Sequence, residues 1–220
     1  MKKLDSIEDL KYGKLNLEDI EFIEKPRPAI DEILWNFLSE SYPDKEQSMS
    51  EIKEIKQYQS LYSKNKFKLD FCKDADEDLH HTLSNLLETI GLEVDRSFFK
   101  IDEVLGYIVV KLKQHYNRPR PYQFAYYTEQ DFNPFETITG NSPSYPSGHA
   151  LQAYFLCSLL AKKHPEHKTK LNLFADMIAE SRLALGVHYP SDNAFAKQIS
   201  NKLMNYETEL WQSVKKEIAN

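Results

Sequence analysis

Apolar residues along this chain recur at helical spacing. Ile30, Ile33, Leu34, Phe37 and Leu38 stand at i, i+3, i+4, i+7 and i+8, the stripe of one buried helix face. Met49, Ile52, Ile55 and Tyr58 predict a second helix, and Leu79, Leu83, Leu86, Leu87 and Ile90 a third. Ile101, Val104, Leu105, Ile108 and Leu112 share a face of a fourth, which stops before Pro119 and Pro121. Proline has no N–H to donate and pushes the preceding residue toward extended backbone, so the helix cannot run on. A helix over about 148–162 is apolar nearly all round, from Leu151 to Leu160, and so belongs in the middle of a bundle. Two more run over about 167–185 and 192–218, and no convincing alternating strand is found. The pattern predicts an all-α, multi-helix bundle around a buried central helix.

Residues 1–28 show weak periodicity and end in Lys25-Pro26-Arg27-Pro28, which reads as an N-terminal arm of extended chain or short helices. Residues 29–220 then form a single helical domain. Between 117 and 146 the pattern turns irregular, with Pro119, Pro121, Pro134, Pro143 and Pro146 among many aromatics. A connection this long within a domain is functional or disordered, and Tyr122, Phe124, Tyr126, Tyr127, Phe132 and Phe135 argue against disorder.

Composition narrows the class. A chain of 220 residues is long enough to bury a substantial core, and only six glycines among many Leu, Glu, Lys and Ile favours helices. A net charge of -6 offers no overall basic field for nucleic acid or an anionic membrane, although a local basic pocket is compatible with it. No run approaches a membrane span of roughly 18 apolar residues. Asp5, Glu8 and Asp9 interrupt any apolar leader after the opening Met-Lys-Lys, so a soluble, cytoplasmic protein without a signal peptide is expected. Cys72 and Cys157 are expected to be free thiols. A homo-oligomer stays open, a dimer being the commonest form.

Chemistry concentrates in three places. Ser147 is a good N-cap for the central helix, Gly148 lets a ligand approach the backbone, and His149 in the first turn could donate a proton to an anion held there. Alone, this is equally a capped helix with a surface histidine. Lys113 and Arg182 each flank an apolar stripe, where a cation either snorkels to solvent or meets a buried anion. Arg120, fixed between two prolines, could aim its planar fork at an oxyanion. His188 lies on a corner between the helix ending near Gly186 and one starting near Ser191, with Asp192 four residues on. That carboxylate could hold one imidazole nitrogen and leave the other as nucleophile or ligand, or merely cap the last helix.

Together these pieces read Lys113-x6-Arg120-Pro121, Pro146-Ser147-Gly148-His149 and Ser181-Arg182-x5-His188-x3-Asp192. This resembles the three-part signature of the phosphatidic acid phosphatase type 2 and vanadium haloperoxidase superfamily, closest in form to soluble bacterial class A acid phosphatases, and covers about 101–195. The resemblance implies an active site at helix ends around the central helix. Lys113, Arg120, Ser147, Gly148 and Arg182 would bind phosphate, His188 would form a phosphohistidine, Asp192 would fix its tautomer and His149 would serve as acid and base. It implies no metal and no cofactor, with vanadate as an inhibitor. The expected partner is phosphate or a small soluble phosphate ester. In an alternative reading the chain is a vanadium-dependent haloperoxidase with vanadate as prosthetic group at His188, although such enzymes are much longer. In a third it is a helical protein that binds phosphate without turnover. His80, His81, His115, His164 and His167 read as surface or partial core. The aromatics of 122–145 could stack on a nucleobase or aryl leaving group, or be loop core.

Overall fold

A computed structural model describes residues 10–38 and 41–218; the first nine residues of the arm, with the charged positions that bear on a leader, lie outside it. Every regular element within the described residues is helical. They are α1 (Leu17–Glu24), α2 (Pro28–Leu34), α3 (Lys45–Ser63), α4 (Lys66–Glu77), α5 (Leu79–Glu88), α6 (Ile101–Tyr116), α7 (Pro121–Tyr127), α8 (Gly148–Lys163), α9 (Lys168–Ala184), α10 (Pro190–Leu203) and α11 (Glu207–Ile218). The fold is an all-α bundle, and among these helices none is long and apolar enough to cross a membrane.

The all-round apolar segment is α8, and it is the central helix. Leu151, Ala153, Phe155, Leu156 and Cys157 are buried on it, with α6, α9 and α10 packed against it. These helices share one core with Leu105, Ile108, Ile178 and Ile199, while Ile30, Ile33 and Phe37 close it from α2 and the turn beyond. Burial of such side chains, at about 25 cal/mol per Å² of apolar surface, is the main force holding the layers together. Cys72 and Cys157 are free thiols in this interior, and burial pushes both up to about 12.

Several boundaries differ from those the pattern predicts. The irregular 117–146 segment contains α7, with Arg120 as its cap and Pro121 in its first turn, where a missing N–H costs nothing. The last helix is two, α10 and α11, joined by a 3-10 turn over Met204–Tyr206. It begins at Pro190 rather than at a Ser191 cap. Ser191 is drawn away because its N–H and hydroxyl both donate to Glu51 of α3, at 2.9 and 2.8 Å. Within the arm, α1 packs on α6 and places Ile23 in the core. Ahead of it, Asn117 ends α6 in the left-handed region (φ 51°) and exchanges side-chain bonds with the backbone of Gly13.

Candidate active site

Four helix ends converge at one end of α8. The last turn of α6 brings Lys113, the cap of α7 brings Arg120, the last turn of α9 brings Arg182, and the first turn of α10 brings Asp192. The N-terminus of α8, with Ser147 at the cap and Gly148 and His149 following, faces the same space. Its first N–H groups have no partner within the helix, which makes this end an anion site. A Cβ on Gly148 would stand 3.3 Å from Val109 Cγ1, so glycine lets α8 sit close against α6.

The three cations are buried, not snorkelling: Lys113 is 6% exposed, and Arg120 and Arg182 are 1% each. Charges so buried need partners, and the partners come largely from the 136–144 connection. Lys113 Nζ donates to Ser142 Oγ at 2.8 Å. Arg120 Nε donates to the Ser142 carbonyl at 2.6 Å and its Nη1 to the Val187 carbonyl at 2.7 Å. Arg182 donates to Thr139 Oγ1 at 2.9 Å and pairs with Asp76 of α4 at 2.8 Å. Asp76 in turn receives the Ile138 N–H and the Thr139 hydroxyl. Burial, with Arg120 alongside, holds the Lys113 ammonium well below the usual lysine range. Burial also brings Arg120 down to about 10, still a cation at neutral pH.

His188 is 2% exposed on the corner between α9 and α10. Gly186 makes that corner with φ +79°, and a Cβ there would lie 2.6 Å from Gln59 Nε2. Asp192 Oδ2 sits 3.0 Å from His188 Nδ1 and also accepts the Tyr189 N–H at 2.9 Å, so the carboxylate orients the ring and caps α10 together. The other ring nitrogen, Nε2, lies 3.0 Å from Arg120 Nη1. An Arg N–H only donates, so Nε2 presents its lone pair and the ring is neutral with its proton on Nδ1. Burial, then the Arg120, Lys113 and Arg182 cations, keep this imidazole well below the usual histidine range. The same forces, led by burial and Arg182, act on the partly buried His149. Ser147 Oγ, Arg182 Nε and Arg182 Nη1 stand buried without a hydrogen-bond partner, the last within ion-pair distance of Asp76. Ser147 therefore occupies the cap position without making a side-chain cap bond.

The motif reading missed a layer behind these residues. Arg118 is fully buried and binds Asp192 Oδ1 at 2.6 Å, Glu51 at 3.0 Å, Ser48 at 3.0 Å and Ser191 at 2.7 Å. Its guanidinium also lies over the Tyr189 ring, 3.8 Å from the centroid. Burial lifts the Asp192 carboxyl to about 6, and Arg118 is the strongest opposing influence. Asp76 was likewise unmarked. The position of Arg118 two residues before Arg120 was the one available signal, and it reads equally as a surface cation. His80 pairs with Asp102 of α6 and stacks on Phe99 at 4.4 Å. His115 packs edge-on against Tyr116, and His164 and His167 lie near Glu166. Among the described residues no three His, Cys, Asp or Glu side chains converge as metal ligands.

The PAP2 superfamily profile matches residues 103–200, a segment that contains every residue of the cluster from Lys113 to Asp192. The match spans a little under half of this chain, and over that segment the chain is similar to the PAP2 superfamily. A non-specific acid phosphatase of Providencia stuartii is 27% identical over 129 residues, 59% of this chain and 46% of that protein. The chain thus matches less than half the length of that relative. A transmembrane PAP2 type phosphatidylglycerolphosphate phosphatase from Bacillus subtilis aligns over 91% of this chain and 82% of its own, with 18% identity and TM-score 0.37. That superposition is too loose to bear on function.

Proposed function

We propose that this protein is a PAP2-type phosphomonoesterase, acid phosphatase-like, working through a phosphohistidine at His188 on small soluble phosphate esters. The observation that carries the reading is the bonding of one imidazole: Asp192 holds Nδ1 while Nε2, unprotonated, faces Arg120 amid three buried cations. A binding protein would need the cations but not an oriented neutral histidine with a carboxylate behind it.

In this reading the phosphoryl oxygens displace Ser142 and Thr139 from Lys113, Arg120 and Arg182 and take up Ser147 Oγ and the Gly148 N–H. Charged oxygens replace neutral hydroxyl acceptors, and charge-assisted bonds are roughly twice as strong. The His188 Nε2 lone pair attacks phosphorus, the P–O ester bond breaks, and the leaving oxygen takes the proton that His149 acquires when the anionic ester binds. His149 then removes a proton from water, whose oxygen attacks phosphorus; the N–P bond breaks and its electron pair returns to Nε2. Positioned cations and a helix N-terminus stabilise the equatorial charge in both steps. Vanadate, which adopts the same five-coordinate geometry, should bind as an inhibitor.

The test is hydrolysis of p-nitrophenyl phosphate in excess EDTA, with and without micromolar vanadate. Turnover that survives EDTA and falls with vanadate is expected. A folded protein with no turnover would overturn the reading, and halogenation in vanadate, peroxide and bromide would establish the haloperoxidase alternative instead. Faster hydrolysis of micellar phosphatidic acid than of aryl or nucleoside phosphates would overturn the choice of soluble substrates.

The depressed bases give a second, independent check. Burial first, and the neighbouring cations next, hold the His149 and His188 imidazoles below the usual histidine range, and an anion in the site offsets the cations. Their pKa values then rise, so at constant pH the protein takes protons up. Sulfate has nothing to titrate near neutrality, and its binding at pH 7 should carry in of order one proton. Calorimetry in buffers of different ionisation enthalpy reads this directly. A binding enthalpy independent of the buffer would contradict the pKa ordering.

A further inference from the structure

The segment between Arg120 and Pro134 makes a second feature beside the cluster. On α7, Phe124 and Ala125 turn into the core and Tyr122 is half-buried against the same core, leaving Tyr126 and Tyr127 on the outer face. Tyr126 is 66% exposed and Tyr127 41%, with their rings edge-to-face at 5.4 Å. With Phe132 and Pro134 they line an open cleft of about 650 Å³. That volume falls within the range of roughly 300–1,000 Å³ typical of small-molecule sites.

None of the cluster residues lines the cleft itself, but each wall is joined to an element that carries one of them. The tyrosine wall starts at the cap of its helix, which is Arg120, and the Gln123 side chain accepts the Arg120 N–H at 2.9 Å. The other wall rests on the corner that carries His188: a Cβ on Gly186 would stand 3.0 Å from Phe132 Cζ and 3.2 Å from Pro134 Cα. Tyr126 and Tyr127 are exposed, and Asp131 and Asn133 supply exposed polar groups along the same cleft. Aromatic faces with polar groups at the edge suit a flat ring system that carries its own donors and acceptors.

We infer that the cleft between α7 and Phe132–Pro134 is the leaving-group subsite, taking a planar aromatic group such as a nucleoside or an aryl alcohol esterified to the phosphate. This rests on the phosphomonoesterase reading of the adjoining cluster. Tyr126 stacks on the ring and determines specificity; it does not take part in the chemistry.

The test compares adenosine 5′-monophosphate, phenyl phosphate and glycerol 2-phosphate as substrates of the wild type, Tyr126→Ala and Tyr126→Phe. Both aromatic esters should exceed the glycerol ester in kcat/KM. Tyr126→Ala should lose roughly 5- to 100-fold on the aromatic esters, through KM, which is the range of one stacked base. It should leave the glycerol ester unchanged, and Tyr126→Phe should restore the wild-type pattern. A preference for the nucleotide alone would assign the polar edge to a nucleobase, and equal use of phenyl phosphate would assign the cleft to any flat ring. Equal use of all three esters by the wild type, or a loss on all three in Tyr126→Ala, would overturn the subsite. If none of the three is hydrolysed, the phosphatase reading fails separately. Calorimetry then decides the cleft: nucleotide binding tighter than phosphate and weakened by Tyr126→Ala supports it, and equal binding of the two overturns it.

Discussion

His188→Ala is expected to lower kcat for p-nitrophenyl phosphate by at least about 10³-fold, the scale of removing a covalent nucleophile. The protein should still bind sulfate, because Lys113, Arg120, Arg182 and the α8 N-terminus are untouched. Wild-type protein quenched in base during turnover should carry an acid-labile phosphoryl group, and His188→Ala should carry none. His149→Ala should behave differently. With an alkyl ester the first step loses its proton donor, a loss of about 10²–10⁴-fold. With p-nitrophenyl phosphate the leaving anion is stable unprotonated, so the first step should suffer little. The second step still lacks its base, and the phosphoryl protein should accumulate. Equal losses in the two variants on both esters, with no trapped intermediate, would remove the division of labour between the histidines.

The largest structural effect is expected from Arg118→Met. Arg118 holds two buried carboxylates, Asp192 at 2.6 Å and Glu51 at 3.0 Å, and without it both face one another's field in the interior. Breaking a buried pair by removing one partner costs about 3–5 kcal/mol. In a chain of this size that corresponds to a fall in Tm of roughly 10 °C, at ~2–4 °C per kcal/mol. The carboxyl of Asp192, already lifted to about 6, would also lose its strongest opposing cation and rise further. It would then be protonated near neutral pH and hold the His188 tautomer less firmly, so activity should fall before the protein unfolds. Removing the second charge as well, in Arg118→Met with Glu51→Gln, should recover part of the stability, since sites in contact do not add. A Tm within 2 °C of wild type for Arg118→Met would show that these carboxylates do not depend on it.

Periodicity identified the helices that carry dense apolar stripes, and these are α3, α5, α6, α8 and α9 with shifts of a few residues at their ends. It did not separate α4, where Lys66, Lys68, Asp70, Lys73 and Asp74 dilute a stripe that buries only Cys72, Ala75 and Asp76. It merged α7 into a loop because prolines and tyrosines signal irregular chain, whereas Pro121 opens a helix. The aromatics of this region divide between the interior and the surface. Phe124 and Phe132 are core, while Tyr126 and Tyr127 face solvent.

The sequence by itself determined the helical class and the buried central helix, and it singled out Lys113, Arg120, Ser147, Gly148, His149, Arg182, His188 and Asp192 as candidates for one site, because helix patterns and a spaced motif are local in the chain. What satisfies those charges was decided only by the tertiary structure. Asp76 reaches Arg182 from α4, and Glu51 reaches Arg118 and Ser191 from α3. On their own helices these acids look like ordinary solvated surface. A carboxylate stays buried only when a cation or N–H arrives to replace water, and that meeting depends on how helices far apart in sequence are packed.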